Sequence, residues 1–98
     1  MICHIVLIRL ATRVTDTEAD AFLEQAHEVL SAVPGVRDLR VGRGLGIKDE
    51  KDYPYALVMH FEDEAALEGY QVHAEHQRFV HEILGPIGDD KKVFDYRC

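Results

Sequence analysis

The sequence predicts a single α+β domain, residues 1–98, with the element order β-α-β-β-α-β. Three observations support this class. Four short segments are rich in β-branched and aromatic residues, two intervening segments carry apolar residues at helical spacing, and the connections between segments are short. Short connections and right-handed crossovers favour a four-stranded antiparallel sheet with the helices on one face, the ferredoxin-like arrangement.

The first predicted strand covers residues 2–10, ICHIVLIRL, an unbroken β-rich run. Since side chains alternate between the two faces of a strand, the run divides into two sets. The set expected on the helix side is Ile2, His4, Val6, Ile8 and Leu10. The set on the other face is Cys3, Ile5, Leu7 and Arg9. Both sets are largely apolar, so the strand is expected to be covered on both faces.

The first helix is predicted to begin at Thr15, because Thr15 and Glu18 have the spacing of a capping box. Pro34 and Gly35 end the helix, since proline lacks an amide donor and glycine allows a sharp turn. Between these signals an apolar stripe recurs at steps of three and four residues: Ala19, Phe22, Leu23, Ala26, Val29, Leu30 and Val33.

The second and third strands are predicted over residues 36–43 and 55–61. The former alternates apolar and polar residues, which is typical of a half-buried strand near a sheet edge. The latter, YALVMHF, places Leu57 and Met59 on one face and Val58 on the other. The intervening residues 44–54 contain glycines, a charged run and a proline, and predict a solvated loop.

The second helical region is predicted to be split in two. Carboxylates at residues 62–64 favour a helix start, and this helix extends to about residue 70 or 72. A further helical segment runs from about residue 75 to Gly85 and Pro86, which break it. The last strand is expected over about residues 92–97, KVFDYR.

The charge balance and hydropathy exclude two classes of partner. The net charge is −7, from 18 acidic and 11 basic residues, and such a domain repels nucleic-acid phosphates. The apolar runs are far shorter than the roughly 20 residues of a membrane helix, and no signal peptide is apparent. We therefore expect neither nucleic-acid nor membrane binding, and a cytoplasmic location.

The two cysteines, Cys3 and Cys98, match neither a disulfide framework nor a zinc motif. In the predicted topology the first and last strands are antiparallel neighbours, which brings these two residues close together. A bond between them therefore stays open, although a reducing compartment favours two free thiols.

An apolar sheet face without helices predicts a homodimer. Such a face usually marks an interaction site, and a second copy packed sheet to sheet about a two-fold axis is the simplest partner. The alternative is a monomer whose outer face is merely mixed in polarity, because Arg9 and His60 also point that way.

Four segments together carry a family pattern: HIVL at 4–7, ALVM at 56–59, YQVHAEHQRFV at 70–80 and VFDY at 93–96. The pattern resembles the stress-responsive dimeric α/β-barrel (Dabb) family, whose hallmark is a Tyr-x-x-His-Pro-x-His-x-x-Phe stretch. Ala74 stands where the family usually has proline. The resemblance implies the ferredoxin-like fold and a dimer whose two sheets close into an α/β barrel.

One branch of this family contains polyketide cyclases of the olivetolic acid cyclase type. The resemblance to that branch implies that Tyr70 and His76 are catalytic and that His4 and His73 contact substrate. The implied activity is that of a cyclase or lyase for an intramolecular aldol reaction, with a small apolar or polyketide-like ligand. His76 would remove a proton next to a carbonyl group, and Tyr70 would donate a hydrogen bond to the carbonyl oxygen.

A non-catalytic dimer, stress-responsive or ligand-binding, is the alternative function. In that case His73 caps the second helical segment and His76 bonds a backbone carbonyl, so that the cluster is structural. The two functions differ in the space they require. An open cavity of a few hundred Å³ lined by His4, Tyr70 and His76 favours an enzyme or a binder, whereas side chains filling that space favour the structural role.

No cofactor or metal is expected for this chemistry. His73 and His76, with Glu75 or His81 nearby, leave a divalent cation as a weaker alternative. Since this pattern lacks a recognised metal-binding motif, the expected site contains no metal.

Overall fold

The four strands form one antiparallel sheet in the order β2-β3-β1-β4. The computed structural model describes residues 1–98. Its elements are β1 (Ile2–Leu10), α1 (Asp16–Ser31), β2 (Arg37–Arg43), β3 (Tyr55–Phe61), α2 (Glu64–Val72), α3 (Ala74–Arg78) and β4 (Gly88–Arg97). A short 3₁₀ turn, Asp49–Asp52, lies in the loop before β3, and a π-helical segment, Phe79–Leu84, continues α3. The predicted ferredoxin-like fold is confirmed.

The core lies between the helices and one face of the sheet. Ile8 of β1, Met59 and Phe61 of β3, and Leu30 of α1 are completely buried. His4 is on the same side of β1 and is only 4% exposed. The side chains of β1 and β3 thus alternate between the two faces of the sheet as the sequence predicts. The apolar set lies on the face that the helices cover and shield from water.

The N-terminus of α1 is closed by the predicted capping box. The Thr15 hydroxyl accepts the Glu18 amide at 3.2 Å, and the Glu18 carboxylate accepts the Thr15 amide at 3.1 Å. These reciprocal bonds satisfy two groups that have no partner within the helix, and they lower the pKa of Glu18.

Substitution Thr15→Ala is expected to lower the free energy of unfolding by about 1 kcal/mol, because one capping bond is lost. Urea denaturation of the variant measures this change. Thr12→Ala is the matched control, since Thr12 is exposed and lies outside the helix. Equal stability of the two variants would contradict the capping role of Thr15.

The last strand begins earlier than the sequence pattern indicates, at Gly88 rather than near residue 92. The polar residues that open β4 pair with β1, with Lys91 opposite Ile8 and Asp90 opposite Arg9. Backbone pairing with an available strand edge therefore extends β4 through a segment without strand-like composition.

The face of the sheet opposite the helices is largely apolar and uncovered within the chain. Leu7, Phe94 and Tyr96 are 37%, 64% and 45% exposed, and Ile5 and Val58 are half-buried. We call these five residues the outer face. Contiguous exposed apolar surface of this kind is typical of an interaction site.

Both cysteines are free thiols. The antiparallel register places Cys3 opposite Tyr96 and not opposite Cys98, so the two cysteines are not direct cross-strand neighbours.

None of the helices combines the length and the apolar character needed to cross a membrane.

Candidate functional site

A cavity of about 100 Å³ lies between the helix side of the sheet and the second helical region. We call it the inner cavity. Its polar lining residues are His4, Tyr70, Gln71, His76 and Lys91. The rest of its wall is apolar, made by Val6, Ile8, Leu57, Phe79, Val80, Leu84 and Val93. Apolar walls with a few convergent polar groups are the usual composition of a small-molecule site.

A second space of about 300 Å³, the outer cavity, adjoins the inner one. The two spaces share Val80, Leu84 and Lys91 in their linings. The inner cavity alone is smaller than the roughly 300–1,000 Å³ of typical ligand pockets. It is therefore suited to the reacting group of a ligand, with the remainder of the ligand in the outer cavity.

The π-helical segment forms the wall between the two spaces. Its wider turn is seen in the bond from the Gly85 amide to the Val80 carbonyl, 2.9 Å, which spans five residues. Phe79, Val80 and Leu84 of this segment line the inner cavity. The sequence indicated only an ordinary helix here, since π-helical turns have no clear composition signal; they are frequent at functional sites.

Tyr70, in the last turn of α2, is 2% exposed. Its ring centroid lies 4.3 Å from that of His76, 5.0 Å from that of Phe61 and 5.9 Å from that of His4. The Tyr70 hydroxyl has no hydrogen-bond partner in the chain and is not completely buried, and Tyr70 is part of the lining of the inner cavity. Burial raises the pKa of Tyr70 well above its usual range, which keeps the hydroxyl protonated and able to donate.

His76 is oriented by the break between α2 and α3. Its Nδ1 donates to the Gln71 carbonyl oxygen at 3.0 Å, and the Gln77 side-chain amide donates to the same oxygen at 2.6 Å. That carbonyl belongs to the last turn of α2, where carbonyl groups have no helical partner. Because a carbonyl only accepts, neutral His76 carries its proton on Nδ1 and keeps the Nε2 lone pair available as a base.

The surroundings of His76 favour its neutral form. Burial lowers the pKa of His76, the bond to the Gln71 carbonyl opposes this change, and the charges of Lys91 and His4 lower the pKa further. An imidazole with a pKa below its usual value is predominantly a free base at neutral pH.

NMR titration of His76 is expected to give a pKa below the usual value of about 6.5. With a lower pKa in the folded state, His76 binds a proton more readily in the unfolded chain than in the folded one. The contribution of neutral His76 to stability is therefore complete above about pH 6.5. It is lost as the pH falls through the folded-state pKa.

Substitution His76→Gln should therefore reduce the loss of stability on acidification, as measured by denaturant unfolding across this pH range. His81→Gln at an exposed position is the matched control. A folded-state pKa of His76 at or above that of a free imidazole would contradict this account.

His4 is held by an acidic residue that the sequence analysis missed. Its Nδ1 is hydrogen-bonded to Asp95 Oδ1, and the register places these two residues directly opposite each other in β1 and β4. Because the carboxylate accepts, His4 keeps its Nδ1 proton and leaves Nε2 without a partner at the cavity. The antiparallel pairing of the first and last strands is the signal that could have identified Asp95.

His73 has a different position from the other three predicted site residues. It caps α3, where its Nδ1 accepts the Glu75 amide at 3.1 Å, and it does not line the inner cavity. The substrate contact expected for His73 stays a prediction. With Ala74 in place of the usual proline, bonds from His73, His76 and Gln77 hold the break between the two helices.

Potential metal ligands do not cluster in the chain. No group of three or more histidine, cysteine, aspartate or glutamate side chains is arranged to hold a metal ion. The Nδ1 atoms of His73 and His76 are each bonded to a different backbone group, the Glu75 amide and the Gln71 carbonyl.

Comparison with known proteins identifies a family. The stress responsive A/B barrel domain family matches residues 2–98. A Dabb family protein with a ferredoxin-like fold from Mesorhizobium loti is 31% identical, with a TM-score of 0.87, covering 99% of this chain and 95% of that one. A dimeric ferredoxin-like protein of unknown function from Jannaschia sp. is 26% identical, with a TM-score of 0.77 and coverages of 99% and 98%.

A third similar structure is the hydroxynitrile lyase from Passiflora edulis, with a TM-score of 0.83 and coverages of 97% and 90%. It is 17% identical, so the similarity shows a shared fold alone. No functionally curated protein gives a significant sequence match.

Proposed function

The chain belongs to the stress-responsive A/B barrel domain family, and from this premise we propose that it is a homodimeric enzyme that transfers protons at carbons next to carbonyl groups. One observation carries the proposal. Tyr70, a hydrogen-bond donor, and His76, an oriented neutral base, line the same cavity, with ring centroids 4.3 Å apart. A donor for a carbonyl oxygen and a base for the adjacent carbon are the two groups that enolisation requires.

The proposed first step is the formation of an enolate. His76 Nε2 takes a proton from the carbon next to the carbonyl, the electron pair of that C–H bond forms a C=C bond, and the carbonyl π electrons move to oxygen. Tyr70 donates a hydrogen bond to this oxygen as its negative charge develops. Because the Tyr70 hydroxyl stays protonated, it is ready to donate before the step begins.

The second step closes a ring within the same substrate. The enolate carbon attacks a second carbonyl carbon, a C–C bond forms, and the resulting alkoxide takes the proton that His76 has received. The apolar walls hold the two reacting carbons close together, which replaces a bimolecular encounter by an oriented one. These two steps are an intramolecular aldol addition, the ring-closing part of the aldol reaction expected of a polyketide cyclase, and they use no cofactor.

In this proposal His4 contacts substrate through Nε2. The hydrogen bond from His4 Nδ1 to the Asp95 carboxylate fixes the position of the imidazole. The His4 ring packs edge-on against the Tyr70 ring, with centroids 5.9 Å apart. A carboxylate partner of this kind sets both the tautomer and the orientation of an imidazole. Asp95 is thus a positioning residue rather than a catalytic one.

The homodimer of the proposal uses the outer face. Its exposed apolar side chains, among them Leu7 and Phe94, have no covering within the chain, and a second copy would bury them. The similar protein from Jannaschia sp. is described as dimeric, which supports the same assembly here. The cytoplasmic location expected from the sequence stays a prediction.

Exchange of carbonyl-adjacent protons tests the proposed chemistry without knowledge of the natural substrate. Methyl isobutyl ketone is incubated with the protein in deuterium oxide, and proton NMR follows the loss of signal from the protons next to the carbonyl. We expect exchange faster than in matched buffer, because His76 and Tyr70 stabilise the enolate that exchange requires. Exchange no faster than in buffer, across ketones that bind, would refute the enzymatic function.

A non-catalytic ligand-binding dimer is the second candidate, and a specific observation favours it. His73 and His76 both form backbone bonds that hold the helix break, which gives these side chains a role that requires no chemistry. This candidate predicts ketone binding without accelerated exchange. The exchange measurement therefore separates the two functions.

A further inference from the structure

Lys91 is the only lysine or arginine that lines either cavity, and it lines both. In the register of β1 and β4 it stands opposite Ile8, a completely buried residue on the helix side of the sheet. Its side chain therefore projects toward the helices and reaches the junction of the inner and outer cavities. The chemistry proposed above for Tyr70 and His76 does not use this cation.

The Lys91 ammonium has no ion-pair partner in the chain, although two carboxylates are its sequence neighbours. Asp89 accepts a bond from Arg9 at 2.7 Å, and Asp90 accepts the Tyr53 hydroxyl at 2.5 Å and lies 3.7 Å from Arg9. Arg9 thus partly neutralises both carboxylates. The Lys91 ammonium therefore forms no direct ion pair at the place where the largely apolar inner cavity meets the more polar outer cavity.

The effect of this charge reaches the inner cavity. After burial, the main cause, the positive charge of Lys91 contributes to the lowered pKa of His76. An electrostatic influence of this kind falls off with distance and solvent screening, so it agrees with a position of the ammonium close to the imidazole.

We propose that Lys91 is the binding group for a carboxylate on the ligand, so that the ligands of this cavity are keto acids: the ketone lies in the inner cavity against Tyr70 and His76, and the carboxylate lies at the junction of the two cavities. This inference deepens the proposed function by naming the ligand class of the same site. A single ammonium with three donors matches the charge of one carboxylate and can donate charge-assisted hydrogen bonds to it.

A carboxylate fits this position better than a phosphate group. Asp89 and Asp90 line the outer cavity beside Lys91, and they would repel a group with two negative charges more strongly than a group with one. The adjacent wall formed by Val80 and Leu84 is apolar and suits the hydrocarbon part of a keto acid.

Binding of levulinate, a small keto acid, and of its uncharged methyl ester tests the inference by NMR titration. The native protein is expected to bind levulinate about tenfold more tightly than methyl levulinate, which is the gain typical of a hydrogen-bonded charge. Lys91→Met keeps the aliphatic stem of the side chain and should abolish this preference. The preference of the native protein should also decrease as salt is added.

Lys92→Met is the matched control, because the Lys92 ammonium lies over the Tyr53 ring at 5.2 Å and its residue pairs with Leu7 of the outer face. This variant should keep the full preference for levulinate. Equal affinity of the native protein for acid and ester, or an undiminished preference in Lys91→Met, would overturn the assignment.

The failure of this inference is distinguishable from the failure of the proposed function. Methyl isobutyl ketone carries no carboxylate, so its binding and exchange in the native protein do not depend on a carboxylate contact with Lys91. A levulinate preference that depends on Lys91, without accelerated exchange of the ketone, would leave the carboxylate site intact and remove the enzymatic function. Accelerated exchange without that preference would remove the carboxylate site alone.

Discussion

Substitution His76→Gln is expected to lower the rate of ketone proton exchange by a factor of about 100 or more, the usual loss when a general base is removed. The glutamine amide can still donate to the Gln71 carbonyl, so the bond that holds the helix break at 3.0 Å can be replaced. Glutamine has no basic lone pair at the cavity. The variant should therefore melt close to the native temperature while losing its exchange activity.

Gln77→Ala is the control that separates a chemical from a structural role at this position. It removes the 2.6 Å bond to the same Gln71 carbonyl and leaves the imidazole in place. We expect the Gln77 variant to keep its exchange rate and His76→Gln to lose it. If His76→Gln keeps the native rate, or if both variants lose activity together with their fold, the role of the histidine is structural.

Substitution Val58→Asp is expected to convert the homodimer to a monomer of 11.1 kDa, with the dimer affinity reduced on the order of 100-fold. Val58 lies on the outer face at the middle of β3, directly opposite Ile5 of β1. A new carboxylate in this interface is unfavourable, because it must lose its water when two copies associate, and pairing with Arg40, which stands opposite Val58 on β2, recovers only part of that loss. Sedimentation velocity at micromolar concentration measures the change.

The same substitution at a different exposed valine, Val72→Asp, is the matched control. Val72 is 77% exposed at the end of α2, on the helix side of the molecule. This variant should remain dimeric. A native protein that sediments as a monomer at micromolar concentration would contradict the interface.

The strands with continuous apolar patterns were predictable from the sequence. Residues 2–10 and 55–61 have the predicted bounds, and their two faces divide as the alternation indicates. The Thr15 capping box was equally predictable, since it depends on two residues close in the chain. A sequence pattern predicts a strand or a helix well when the apolar face that it specifies and the backbone preference of its residues favour the same structure.

The features that sequence reasoning missed depend on contacts between distant residues. The first residues of β4 are polar and become a strand only because β1 offers an edge to pair with. Asp95 and Lys91 acquire their significance from the same register, which places them opposite His4 and Ile8. Neither residue type signals a site by itself, because charged residues in a strand are ordinarily part of the solvated surface.

The four predicted site residues divide for a similar reason. The family resemblance implies that Tyr70, His73 and His76, which follow one another at steps of three residues, belong to one site. The helical region is interrupted at His73, the N-cap of α3. The side chain of His73 accepts the Glu75 amide and is not part of the cavity lining. Tyr70 and His76 face the inner cavity together with His4 from the opposite wall.

A crystal structure of the protein soaked with methyl isobutyl ketone tests the site most directly. We expect ligand density in the inner cavity, with the ketone oxygen about 3 Å from the Tyr70 hydroxyl and the adjacent carbon facing His76 Nε2. Density that lies elsewhere, or an inner cavity closed by its own side chains in crystals that take up the ketone, would contradict the proposed proton transfer.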